Sequence, residues 1–157
     1  MTKTNKVLAG WRMLANKPGG RWAFTRGICL KAPYFSSIHP MFERLEPEHA
    51  QVSIKKRRSV TNHIGTVHAI AMCNMAEIAG GLMTEVTVPT THRWIPKGMT
   101  VEYLAKADTN LRADARPASA MNLAEGSDYI VNVDITDTQG TSVCRAAITM
   151  WVSPRKP

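Results

Sequence analysis

Two rhythms of apolar and polar positions divide the chain. Residues 62–84 read NHIGTVHAIAMCNMAEIAGGLMT. Apolar side chains there fall on nearly every side of a 3.6-residue period, which predicts one long buried helix over about 67–84. Elsewhere the period drops to two, the signature of half-buried strands. Val52 and Ile54 oppose Ser53 and Lys55 within 50–56, after a turn at Glu46-Pro47-Glu48. Val101, Tyr103 and Ala105 oppose Glu102 and Lys106. Val131, Val133 and Ile135 oppose Asn132, Asp134 and Thr136. Asp137–Gly140 is a hairpin turn into a last strand over 142–152.

The first forty residues differ. Val7, Trp11 and Leu14 recur at helical spacing until Pro18-Gly19-Gly20 ends the pattern. Residues 21–31 predict a second, short helix, and Pro33 and Pro40 bracket a loop. The order is thus short helices, one or two strands, one long helix and about four strands. That order predicts an α+β domain in which an antiparallel sheet curls around a single helix. Residues 1–40 form a helical extension and 41–152 the core of one domain.

A length of 157 residues supports a single core without disulfides. Three cysteines in no CxxC pair indicate free thiols in a reducing compartment. His63, His68 and His92 lack zinc-helix spacing, so neither a metal nor a resident cofactor is expected. The longest apolar stretch holds His68, Asn74 and Glu77, which opposes membrane insertion. The N-terminus lacks the apolar core of a signal peptide. A cytoplasmic protein is expected. The net charge of +8 includes the run Lys55-Lys56-Arg57-Arg58, either a solvated strand end or a surface for an anion. Aromatic residues are not interleaved with it, and no nucleic-acid motif is present.

Glu77 is the anomaly: an ionisable carboxylate in the middle of the apolar helix. Burying it unpaired would be costly, so it is either salt-bridged or functional. Its neighbourhood carries a pattern: Asn62-x-x-Gly65-Thr66-x-His68-Ala69, with Glu77 nine residues after His68. This pattern, with the Gly98–Ala107 segment after the helix, resembles the hotdog-fold thioesterases, most of all the PaaI-like and DUF4442-type members. The resemblance covers roughly residues 43–152. It implies the hotdog fold, a curved antiparallel sheet wrapped around one long central helix, here with extra N-terminal helices. It implies hydrolysis of acyl-CoA or acyl-carrier-protein thioesters, coenzyme A entering as part of the substrate. Glu77 then activates water or attacks directly, and the Ala69 N–H serves as oxyanion donor. Asn62 and His68 complete the catalytic set, and Gly65 and Thr66 contact substrate.

The family has Gly-Gly where this chain has Ala69-Ile70; alanine keeps the N–H but adds a methyl group. The family's strand hydroxyl has no counterpart at Trp94–Lys97, and Thr91 and Thr100 are the nearest substitutes. Met72, Met75, Met83 and Trp94 are candidate acyl-pocket walls, and Arg57, Arg58, Arg112 and Arg116 candidate partners of the carrier's phosphates. Nine residues span about 13.5 Å of helix axis. Glu77 and the Ala69 amide of one helix therefore do not share a carbonyl. The family resolves this with antiparallel helices in a homodimer, or a dimer of dimers, whose partner surface buries Glu77. The residues also admit plainer roles: His68 as a helix cap, Asn62 bonding its own backbone, Glu77 as a paired core residue. Two further readings are a non-catalytic acyl-thioester-binding dimer and an acyl-CoA dehydratase or hydratase, whose usual motifs are missing.

Overall fold

The computed structural model describes residues 5–156. Two N-terminal helices, α1 (Lys6–Leu14) and α2 (Gly20–Lys31), lead into a 3-10 segment, Pro33–Ile38. A hairpin follows, β1 (Met41–Glu46) and β2 (His49–Ile54), then the long helix α3 (Ala69–Thr87). Four more strands complete the chain: β3 (His92–Tyr103), β4 (Leu111–Pro117), β5 (Ser127–Thr136) and β6 (Ser142–Pro154). All six strands join one antiparallel sheet in the order β1-β2-β4-β5-β6-β3. α3 touches every strand, so the sheet curves around it. Among the described residues, no helix is long and apolar enough to cross a membrane.

The stretch holding Arg112 and Arg116, which the alternation above does not mark as a strand, is strand β4. Leu111, Ala113 and Ala115 face the core, and Arg112 and Arg116 face outward. Two of its three inward residues are alanines, which give little apolar signal. β3 also begins nine residues before Val101, because its alternation breaks at a register shift between Pro96 and Gly98. Trp94 packs inward before the shift and Met99 and Val101 after it.

Twelve of the nineteen residues of α3 are buried. Gly80 lets the helix approach β5 and β6 closely: a Cβ there would stand 2.9 Å from the tip of Ile148. The N-terminal helices belong to the same core. Trp11, Phe24 and Phe42 pack edge to face, with centroids 5.2–6.4 Å apart. Thr25, itself buried, accepts the Phe42 N–H at 3.1 Å. This contact ties α2 to β1, one outer strand of the sheet. β3, the other outer strand, pairs only with β6.

Candidate active site

The start of α3 is set by the loop before it. Gly65 takes φ of +82°, where a side chain would be strained although space is free. The Asn62 side chain spans the turn. Its Oδ1 accepts the Ile64 and Thr66 N–H groups at 3.1 Å each, and its Nδ2 donates to Thr66 Oγ1 at 2.9 Å. A bridge between Thr61 and Val67 closes the loop, and the His68 N–H donates to the Val60 carbonyl at 2.8 Å. Asn62, Gly65 and Thr66 therefore form the frame that presents the helix rather than a lining of the groove beside it.

His68 is the N-cap, and its Nδ1 accepts the Ile70 N–H at 3.0 Å. Of the N–H groups that open the helix, this occupies the second and leaves that of Ala69 without an acceptor among the described residues.

One face of α3 is open. Ile70, Cys73 and Glu77 follow one another at spacings of three and four, so they share a stripe. Within the single chain Glu77 is exposed; its expected burial is against a second copy of the chain. On one side the stripe is flanked by the 3-10 segment. Tyr34, Phe35, Ile70, Cys73, Asn74 and Glu77 line a depression of about 250 Å³. It runs into another of about 200 Å³, reached by His68, Ala71, Ser37, Ser59 and Thr61. Asn74 is buried and donates to Ser37 Oγ at 3.1 Å, and Ser37 donates to the Tyr34 carbonyl at 2.8 Å. On the other side stands β3, where Tyr103 Oη lies 3.4 Å from Cys73 Sγ. That contact is the first cause of a rise in the Tyr103 hydroxyl pKa to about 12.

Sequence reasoning misses Tyr34, Phe35 and Ser37. They stand about forty residues before Glu77, and nothing local in the sequence marks them. The expected methionine walls do not form: Met72, Met75 and Met83 point into the core. Trp94 is half-buried at the far end of α3, where its Nε1 donates to Glu85 at 2.7 Å. Thr91 is bonded to His92, and Thr100 lies on the outer face of the sheet, so neither reaches the groove.

The DUF4442 family (domain of unknown function) matches residues 20–152. This chain belongs to that family. A structural-genomics crystal structure is 43% identical, covering 95% of this chain and 98% of its own, with a TM-score of 0.81. A thioesterase of Haemophilus influenzae is 13% identical over 77% of this chain and 82% of its own, with a TM-score of 0.69. A thioesterase of Staphylococcus aureus is 15% identical over 78% and 99%, also with a TM-score of 0.69. No curated protein matches the chain. The fold of this DUF4442 protein is the hotdog fold. The family match starts at α2, so that helix, expected outside the resemblance, lies within it.

The arginines of the DUF4442 chain separate. Arg112 and Arg116 project from the outer face of β4, away from the groove. Arg116 is held there by Asp114 at 3.0 Å and by His49 Nε2 at 3.1 Å. Arg58 is exposed, with its carbonyl accepting from Thr61. Arg57 is turned partly inward beside the 3-10 segment.

Proposed function

We propose that this protein hydrolyses acyl thioesters of coenzyme A or acyl-carrier protein, in a site completed by a second copy of the chain. One observation carries the reading. Glu77 stands as a carboxylate on an otherwise apolar open stripe, over a groove that also reaches a capped helix start with a free N–H. The thioester carbonyl sits at the Ala69 N–H, where the helix terminus favours developing negative charge. One such donor is worth about 2.7–4 kcal/mol of barrier. Glu77 takes the proton of the attacking water. Eight residues, about 12 Å of helix axis, separate Glu77 from that N–H in one chain, so each site pairs Glu77 of one copy with the helix start of the other. The exposed stripe and the unpaired β3 edge supply the surface for this partnership. The Ala69 methyl and the exposed Ile70 narrow the entrance, and the walls of Tyr34 and Phe35 receive the acyl group.

The test is a panel of acyl-CoA thioesters with a free-thiol readout on wild type and Glu77→Ala. Thiol release that falls at least about 100-fold in the variant is the expected result. Full release by the variant removes Glu77 from the chemistry. Acyl-CoA binding without any release would favour the non-catalytic reading, which the Ala69-Ile70 replacement of Gly-Gly supports.

A further inference from the structure

On the far side of the 3-10 segment from the groove, a cavity of about 340 Å³ opens between α2 and the β1–β2 hairpin. Arg26, Lys55 and Arg57 line it, with the Trp22 ring at its lip. Arg26 lies over that ring at 5.7 Å. Among the described residues, no carboxylate pairs with Arg26, Lys55 or Arg57. The acidic member of the lining, Glu43, is already engaged: Arg21 donates to it at 3.2 Å and Ser53 at 2.7 Å. Arg57 is half-buried, and its Nε, shielded from the cavity, has no acceptor among the described residues, so it is another part of Arg57 that lines the opening. Three cations around one cavity, with its carboxylate already engaged elsewhere, leave room and charge for an anion.

We propose that this cavity binds a phosphate ester, held by the positive charges of Arg26, Lys55 and Arg57. The planar guanidinium suits phosphate oxygens, and Trp22 offers an apolar face to whatever the phosphate is attached to. The position suggests the source. Arg57 lines the cavity and Ser59 the groove, two residues apart and so within about 7 Å along the chain. His39 and Pro40 line the cavity directly after Tyr34–Ile38 line the groove. A thioester lying in the groove would place a phosphate of its carrier arm here, an identification that rests on the thioesterase reading. Arg26 and Lys55 then replace Arg112 and Arg116 as the phosphate partners, and the N-terminal extension contributes to the site.

The experiment measures binding at low salt without turnover, by calorimetry, with three probes: inorganic phosphate, adenosine 3′,5′-bisphosphate and pantetheine 4′-phosphate. At least one probe should bind wild type, at least tenfold weaker to Arg57→Gln and to Lys55→Gln, and unchanged to Arg145→Gln on the outer face. Lys55 is exposed, so its variant tests the site even if Arg57→Gln fails to fold. No binding by any probe, or undiminished binding by Lys55→Gln and Arg57→Gln, overturns the proposal. Tightest binding of the bisphosphate assigns the nucleotide end of coenzyme A. Tightest binding of pantetheine phosphate assigns the arm shared with carrier protein. Equal affinity for inorganic phosphate keeps the anion site but overturns the carrier assignment. Glu77→Gln should bind each probe as wild type does. Hydrolysis that survives that substitution would remove the catalytic reading and leave the anion site standing.

Discussion

His68 Nδ1 accepts the N–H of Ile70 at 3.0 Å, while the N–H of Ala69 beside it has no acceptor among the described residues and is an open donor at the start of α3. The imidazole is thus a cap beside an open amide. Replacing it by alanine should lower stability by about 1 kcal/mol, seen as an earlier denaturation midpoint, and should slow thioester hydrolysis because Ile70 regains a competing free N–H. Asparagine, which caps equally well, should restore both. Restored stability with turnover still lost would give the imidazole a chemical role beyond capping.

Glu77 is exposed in the single chain, so Glu77→Gln should separate activity from folding. Turnover should fall about 100-fold or more while the unfolding free energy in urea stays within about 0.5 kcal/mol of wild type. Paired kinetics and unfolding curves decide this; a large loss of stability would make Glu77 structural.

Cys73 lies on the open stripe, whereas Cys29 and Cys144 are buried. Burial pushes the Cys144 thiol up to about 11 and raises that of Cys29. A maleimide should therefore modify Cys73 first, read by peptide mass analysis, and the adduct should block the groove. Cys73→Ser should resist inactivation by the reagent. Inactivation of Cys73→Ser at the wild-type rate would place the sensitive thiol elsewhere.

These outcomes bear on how much the residues declare by themselves. The buried helix, β2, β5 and β6 are legible because their inward positions are large and their periods unbroken. β4 is hidden because alanines mark its inward face, and β3 is shortened by the shift at Pro96–Gly98. The Asn62-to-Glu77 spacing locates the helix and the end of it that borders the groove. It does not disclose that Asn62, Gly65 and Thr66 spend their polar groups on the loop itself. Tyr34, Phe35 and Ser37 reach Glu77 only through the tertiary fold, so no window of sequence contains the groove.

On the outer face, Asp114 Oδ2 lies 2.8 Å from His49 Nε2 and accepts from Gln51 at 2.6 Å. Burial alone would raise the Asp114 pKa, but the hydrogen bonds from His49 and Gln51 and the nearby charges of His49 and Arg116 prevail and hold it below the usual value. A depressed folded-state pKa contributes stability above the unfolded value of about 3.9 and loses it as pH falls through the folded value. Asp114→Asn should therefore destabilise the protein at pH 7 and cease to matter well below the unfolded value of about 3.9. Urea midpoints at both pH values test this, and an equal penalty at both would show a packing effect instead.

Tyr129 carries a buried hydroxyl with no partner among the described residues. Burial, and then the charge of Glu48, push its pKa up to about 12. Its raised value favours the neutral form in the folded state, so stability is complete below the unfolded pKa of about 10 and declines as pH rises towards the folded value. Tyr129→Phe should raise the unfolding free energy by about 1 kcal/mol at neutral pH and blunt the alkaline decline. Urea unfolding at neutral and alkaline pH measures both effects. A loss of stability on Tyr129→Phe would reveal a hydroxyl contact formed in solution.

The wall of the groove comes from Tyr34–Ser37, a segment tethered to α3 through the Asn74–Ser37 hydrogen bond but separated from it in sequence by a whole hairpin. Scaffold and selector are thus distinct stretches of one polypeptide. Under the proposed reading, substitutions at Tyr34 and Phe35 would retune which acyl groups are accepted, whereas Ile38, buried in the core, and Ser37, bonded to Asn74, hold the segment in place. Diversification of substrate range among relatives should therefore concentrate in that short turn, leaving the architecture around it unchanged.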